Sequence, residues 1–315
     1  MKFIVTGSCG FIGFHLSKNL LEDDHEVLGI DNLNNYYDVN LKKIRLNLLK
    51  PYKNFQFFNK DLTDRESMSF LFKDFKPVMV VNLAAQAGVR YSMVNPISYI
   101  DSNVLGFLNI VDLCNEFEIE KLIYASSSSV YGSSRDVPYK EESSLQPISL
   151  YGKTKLLNEI IFESHAYKDS FHSIGLRFFT VYGPYGRPDM AYYKFSEKIK
   201  ENSKIKIYNN GNMSRDMTYI DDIIQGIKLA IQSKNLNNPH EIFNLGNTKP
   251  IKTMELLSLI ERHYKKRALI EFEDSKSEVE VTHADISKAN SMIGYLPKTN
   301  IFEGMESFFS WYDNQ

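Results

Sequence analysis

The sequence predicts a doubly wound α/β fold, a parallel sheet with helices on both faces, followed by a smaller mixed α/β C-terminal lobe. Three observations predict it. Short, almost continuously apolar runs alternate with segments of helical period from Lys2 to Phe179. The first run leads into a glycine-punctuated loop that opens a helix, and the second run ends on an acidic residue. Strands covered on both faces lose the in–out alternation of a half-exposed strand, so continuous apolar runs between helices argue for parallel pairing.

Taken in order, residues 2–6 (KFIVT) form the first strand and 11–21 the first helix. Residues 26–30 (EVLGI) form the second strand, ended by Asp31, and 55–58 the third. The pattern Thr63-x-x-Glu66 is of capping type and is expected to open the next helix. Residues 78–82 (VMVVN) read as a buried strand, 96–117 as a long helix, 121–126 (KLIYAS) as a strand, 151–167 as a helix and 173–179 (SIGLRFF) as a strand. Beyond Phe179 the alternation loosens: Gly183-Pro184, Gly186-Arg187-Pro188 and the Asn-rich stretch 209–212 break it. Helices return at 219–233, 253–264 and 285–292. The expected division is a cofactor-binding domain of residues 1–179 plus 219–249, with 241–246 (EIFNLG) returning to the sheet. Residues 180–218 plus 250–315 then make the substrate-binding domain.

Composition narrows the function classes. The chain has 315 residues, with 37 Lys+Arg against 39 Asp+Glu and a net charge of −2, so bulk charge does not drive nucleic-acid binding. Two cysteines, Cys9 and Cys114, argue against a disulfide scaffold or a structural metal site. No apolar run is long enough to span a bilayer. The apolar N-terminus is interrupted by Gly7, Gly10 and Gly13, unlike a secretory leader. The expectation is a soluble, cytoplasmic protein with no membrane and no nucleic-acid partner.

The first motif is Gly7-x-x-Gly10-Phe11-Ile12-Gly13, between a strand and a helix. Gly7 suits the tight turn, Gly10 lets backbone approach a pyrophosphate, and Gly13 lets the helix pack closely. Phosphate would then meet free amides at the positive end of the helix. Asp31 lies where a carboxylate would hold both ribose hydroxyls and repel a 2′-phosphate, which favours NAD over NADP. Asp61 and Leu62, after the third strand, are candidates to hold the adenine.

The second motif is Tyr151-x-x-x-Lys155, which puts both side chains on one helical face. A lysine ~4 Å from the phenol, at an effective dielectric of ~20, would attract the phenolate by about 4 kcal/mol. That would lower the phenol pKa by up to about three units, less desolvation losses, and make Tyr151 a general base. The third motif is the run Ser126–Ser129, followed by Val-Tyr-Gly, at the end of a strand, where ligands of such sheets sit.

These motifs, in this order, resemble the extended short-chain dehydrogenase/reductase family of nucleotide-sugar epimerases and dehydratases. Asn82-Leu83-Ala84-Ala85 and residues 215–222 (RDMTYIDD) fit it too, over nearly the whole chain. The resemblance implies a Rossmann domain, NAD as cofactor (with Asn32, Ala84 and Ala85 also against it) and Ser127, Tyr151 and Lys155 as the catalytic residues. It also implies a UDP-sugar substrate with Arg215 on the diphosphate, and a homodimer. Within the family, residues 31–38 (DNLNNYYD), 86–92 (QAGVRYS) and 176–190 (LRFFTVYGPYGRPDM) look most like UDP-glucuronate 4-epimerases. In that subgroup Thr180, Arg187, Ser128 and Ser129 are placed to hold the sugar carboxylate, an Arg suiting a bidentate contact. Arg90 is a candidate for the same task or for a phosphate. Met217 and Tyr185 stand where the subgroup commonly has Phe and Trp.

Dehydratases usually carry Asp-Glu after the catalytic Ser/Thr, and decarboxylases a Glu. Here Ser128-Ser129 follow Ser127. The expected reaction is therefore oxidation and re-reduction at C4, and the resemblance implies UDP-glucuronate as the substrate and a surface polysaccharide as its destination. UDP-glucose or a UDP-N-acetylhexosamine is the alternative substrate, and a dehydratase or decarboxylase the alternative reaction.

Overall fold

A computed structural model describes residues 1–162, 171–234, 236, 238–274 and 279–315. Strands β1 (Lys2–Thr6), β2 (Glu26–Ile30), β3 (Phe55–Phe58), β4 (Met79–Asn82), β5 (Lys121–Ser127) and β6 (His172–Phe178) come first. Between them run α1 (Phe11–Glu22), α2 (Val39–Leu49), α3 (Arg65–Phe75), the composite helix α4 (Tyr91–Val94), α5 (Pro96–Tyr99) and α6 (Gly106–Glu116), and then α7 (Leu150–Ile161). The chain continues through β7 (Thr180–Tyr182), α8 (Ala191–Lys200), β8 (Lys204–Tyr208), β9 (Ser214–Tyr219), α9 (Ile220–Gln232) and β10 (His240–Leu245). It closes with β11 (Pro250–Lys252), α10 (Thr253–Tyr264), β12 (Leu269–Glu273), β13 (Val281–Thr282), α11 (Ser287–Ile293) and α12 (Ile301–Tyr312).

Seven strands form one parallel sheet in the order β10-β6-β5-β4-β1-β2-β3. The chain winds outward from β1 to β3, then restarts beside β1 at β4 and winds the other way. The switch point therefore lies between the carboxyl ends of β1 and β4, where open α/β sheets bind ligands. There the Thr6 hydroxyl donates to Asn82 Oδ1 at 2.5 Å. Alternate residues of β1 feed opposite faces. Phe3 and Val5 pack with α1 and α9 through Phe14, Leu20, Ile223 and Ile227, while Ile4 packs with α3 and α6 through Phe72, Ile110 and Val111. Each such fully buried side chain is worth about 1.5–3 kcal/mol, which holds the strand ends in place. Two smaller sheets make the rest: β9 pairs with β7, β11 and β13, and β8 pairs in parallel with β12.

Several expectations are corrected. The helix expected over 96–117 is a composite in which residues Ile100–Leu105 are wound as a π-helix. The wider turn goes with an inward Asn103, whose buried side chain donates to Gln86 O (3.0 Å) and Thr154 Oγ1 (3.1 Å) and accepts from Gln86 N (2.7 Å). Such bulges recur at functional sites. Thr63 does not cap α3. Asp64 does, accepting from Ser67 N at 3.1 Å, while Thr63 turns its amide (2.9 Å) and hydroxyl (2.7 Å) to Asp61. A carboxylate is a stronger acceptor for helix N–H groups than a hydroxyl, and Thr63 already has a local partner. The helix expected over 151–167 is seen as Leu150–Ile161, and residues 163–167 of it lie outside the described residues. Among the described residues, no helix is long and apolar enough to cross a membrane.

Candidate active site

A cavity of about 890 Å³ runs from the glycine loop, past the carboxyl ends of β1, β4 and β5, to β8 and β9. It is lined by Gly7, Gly10, Phe11, Ile12, Gly13, Asp31, Asn32, Asp61, Leu62, Ala84 and Ala85 towards one end. Ser127, Ser128, Ser129, Tyr151, Lys155, Thr180, Arg187, Arg90 and Arg215 line the remainder. Every candidate residue read from the sequence thus lies on one surface.

The glycine loop has steric reasons for its glycines. Gly7 takes φ +67°, and a Cβ there would lie 2.8 Å from Ala84 N. A Cβ on Gly13 would run into the Gly7 carbonyl, so this glycine admits the loop rather than the sheet. Helix α1 starts at Gly10 with no side-chain cap and no acidic residue in its first turn. Its leading N–H groups and positive end are unspent, as a pyrophosphate requires. These features fit a dinucleotide.

Asp31 is buried, accepting from Cys9 N (3.1 Å) and Leu33 N (2.8 Å). A lysine the sequence reading passed over stands beside it. Lys42, equally buried, has its Nζ 3.7 Å from Asp31 and donates to Asn34 Oδ1 at 3.0 Å. Its signal was present in α2, where Lys42 and Arg45 share a face with Leu46 and Leu49. Asn32 donates to Asp61 at 2.7 Å. Burial raises the Asp61 carboxyl, but hydrogen bonds from Thr63 and Asn32 outweigh it and leave its pKa below the ordinary value.

At the catalytic candidates, Ser127 ends β5 and its hydroxyl accepts from Ser129 N at 3.1 Å. Tyr151 is in the first turn of α7, which Ser149 caps by accepting from Gly152 N at 3.0 Å. The Tyr151 phenol hydrogen-bonds Ser127. Burial lifts its pKa above the ordinary tyrosine value, partly offset by Ser127 and by the charge of Arg187, with Asp189 acting against them. This reverses the expected direction. Lys155 does not supply the downward pull: its Nζ donates to Ala125 O at 2.8 Å, and burial pushes its own pKa down to about 8.

Arg187 is not a solvated loop residue. Its Nε and NH2 donate side-on to the two oxygens of Asp189 at 3.0 and 2.5 Å, and Tyr36 OH donates to Asp189 Oδ2 at 3.1 Å. Arg45, fully buried, ties the glycine loop to the Arg187 loop by donating to Cys9 O (2.9 Å) and to Tyr185 O (2.7 Å). Arg90 stacks over the Tyr208 ring at 3.9 Å, and Arg215 donates to Ser214 O at 3.0 Å. Tyr36, Asp189, Asn103 and Gly152 were not singled out from the sequence. Tyr36, Asp189 and Gly152 lay inside motifs that were read for other residues, and Asn103 lay in none.

Fold and site together define the class: a doubly wound, dinucleotide-binding enzyme with a Ser…Tyr-x-x-x-Lys group at the carboxyl end of its sheet. The family model described as NAD dependent epimerase/dehydratase family matches residues 3–246. The chain belongs to that family, and the extended short-chain dehydrogenase/reductase resemblance is confirmed. A UDP-glucuronate 4-epimerase of Thermodesulfobacterium geofontis is 39% identical, with 98% of this chain and 95% of that protein aligned. UDP-glucuronate 4-epimerase 1 of Arabidopsis thaliana is 40% identical over 99% of this chain and 76% of its own. The crystal structure of UDP-glucuronic acid 4-epimerase from Bacillus cereus, in complex with UDP-glucuronic acid and NAD, superposes with a TM-score of 0.94. It is 32% identical, with 100% of this chain and 99% of that one covered.

Proposed function

We propose that this protein is an NAD-dependent enzyme that interconverts UDP-glucuronate and UDP-galacturonate by oxidation and re-reduction at C4. One observation carries the choice of sugar. Arg187, whose planar fork matches a carboxylate, lines the same cavity as Tyr151 and is close enough to act on its charge. The similarity to UDP-glucuronate 4-epimerases in sequence and in structure supports the same reading.

NAD, when bound, supplies the acceptor and donor of the C4 hydride. The protein does the rest. The glycine loop and α1 hold the pyrophosphate, Asp31 with Lys42 faces the adenosine ribose, and Asp61 and Leu62 take the adenine. Lys155 orients the nicotinamide ribose. Tyr151, hydrogen-bonded to Ser127, takes the proton of the C4 hydroxyl and returns one to the C4 oxygen when the hydride comes back to the opposite face of C4. Arg215 holds the diphosphate while the 4-keto sugar turns, with Arg90 lining the same cavity. Thr180, Arg187, Ser128 and Ser129 hold the C5 carboxylate. Ser128 and Ser129 offer no carboxylate to act as acid or base, which disfavours dehydration and decarboxylation.

Residues 180–218 and 250–315 form the sugar-nucleotide lobe in this reading. Met93, Val94 and Ile97 on α4 and α5, and Leu157 and Ile160 on α7, are exposed apolar side chains suited to a helical homodimer seam. Two free, buried cysteines accord with a reducing cytoplasm, and the product suits surface-polysaccharide synthesis. The test is incubation with UDP-glucuronate, followed by proton NMR with and without added NAD. An equilibrium mixture with UDP-galacturonate and no net NADH is expected. Turnover of UDP-glucose or UDP-N-acetylglucosamine instead would overturn the substrate assignment.

A further inference from the structure

The cavity holds a carboxylate–guanidinium pair of which the reaction as written uses only the guanidinium. Asp189 grips Arg187 by its Nε–NH2 edge, and Tyr36, from the segment after Asp31, fixes Asp189 by its hydroxyl. Tyr36 is itself held: its ring lies 4.8 Å from that of Tyr91, and a Cβ on Gly88 would collide with its hydroxyl. Burial and Asp189 drive the Tyr36 phenol up to about 12, so it stays a hydrogen-bond donor throughout the neutral range. A guanidinium presents five N–H groups in a rigid plane. Asp189 uses the Nε–NH2 edge only, and the NH1–NH2 edge is geometrically suited to a second carboxylate.

We propose that Asp189 is a positioning residue that, through Tyr36, locks the rotation of Arg187 so that its NH1–NH2 edge receives the C5 carboxylate of the substrate in one orientation. The inference rests on the uronate reading above. Its consequence is chemical. The 4-keto intermediate of a hexuronate is a β-keto acid. When the C5–carboxylate bond lines up with the carbonyl π system, that bond breaks and CO₂ leaves. The bonding pair becomes an enolate, which is then protonated at C5 to give a 4-keto pentose, counted with the pentose it becomes when the hydride removed from C4 returns. A guanidinium free to rotate would let the carboxylate reach that alignment. The pair also sets the local charge: with Asp189 in place the substrate meets a neutral pair, and without it a bare cation. Removing the Asp189 charge should therefore disturb the fate of the intermediate more than the capture of the substrate.

The experiment compares wild type, Asp189→Asn and Tyr36→Phe with UDP-glucuronate, reading kcat, KM and the ratio of pentose to epimer. Asp189→Asn is expected to lower kcat and raise the pentose share about tenfold, the scale of a lost charge-assisted hydrogen bond, with KM no higher than wild type. Tyr36→Phe, which removes only the anchoring hydroxyl, is expected to shift the pentose share the same way, by about threefold. A structural role alone would lower folded yield and turnover without moving the product ratio. Product ratios equal to wild type in both variants would overturn the inference while leaving the epimerase reading intact. Failure of the wild type itself to turn over UDP-glucuronate would overturn that reading instead.

Discussion

A methyl group on Gly152 would lie 2.5 Å from the Ser129 carbonyl oxygen. The first turn of α7 therefore presses directly on the serine run, and this contact sets Tyr151, the neighbour of Gly152, beside Ser127. Gly152→Ala forces the two apart or strains both, a change of the kind that costs about 1–3 kcal/mol. The expected outcome is a lower melting temperature together with a disproportionate loss of kcat. Melting curves and steady-state kinetics check it, and wild-type kcat in the variant would refute the argument.

Tyr151→Phe is expected to cut turnover by about 10²–10⁴, the range of a positioned general base, while NAD stays bound. With Tyr151 as the proposed base, turnover depends on the ionised phenol, so it is expected to rise with pH through the Tyr151 pKa. Arg187 lowers that pKa. Arg187→Ala should therefore displace the rising limb of kcat/KM to higher pH and add pentose to the products. A pH profile superimposable on wild type would show that Arg187 does not act on the phenol.

Lys155 titrates at about 8 in the folded protein against 10.5 for an ordinary lysine. Below pH 8 both states are protonated and the folded state bears the full cost of burying the charge. Between 8 and 10.5 the unfolded chain holds a proton that the folded one has released, so stability rises with pH and the cost is gone above that window. The shift is worth about 3 kcal/mol to order of magnitude. In cofactor-stripped protein, Lys155→Met should be more stable than wild type at pH 7, with the gap closing towards pH 10. Thermal melts across that range check this, and a constant gap would contradict it.

Lys42→Met would leave Asp31 with its two backbone donors but no charge partner. Breaking a buried ion pair from one side typically costs about 3–5 kcal/mol. Reduced NAD occupancy on purification and a lower melting temperature are expected. Ultraviolet absorbance of the purified protein and melting curves check them, and unchanged occupancy would remove Lys42 from the cofactor site.

Much of this could be read along the chain. The glycine spacing, Asp31, the serine run and the Tyr151/Lys155 pair are each local patterns. Their order on alternating apolar runs sufficed to specify the doubly wound sheet and the class of chemistry. They were legible because strand and helix periods, and the steric need for glycine at Gly7, are properties of short segments. Where two local solutions compete, sequence misled: Thr63 and Asp64 both suit a cap, and only the pull of Asp61 on Thr63 decided between them.

The tertiary structure decided what depends on residues far apart in sequence. Tyr36 meets Asp189 across 153 positions, and Arg45 reaches Tyr185 across 140. The π-turn at Ile100–Leu105 makes sense only once Asn103 has Gln86 and Thr154 to bind. The same holds for the direction of the Tyr151 pKa. Spacing alone put a lysine beside the phenol, but burial, which no spacing reports, outweighs every nearby charge. Local pattern fixes which groups the chain carries. Packing fixes which of them meet and how far water is excluded, and the strength of every polar interaction in the site follows from that exclusion.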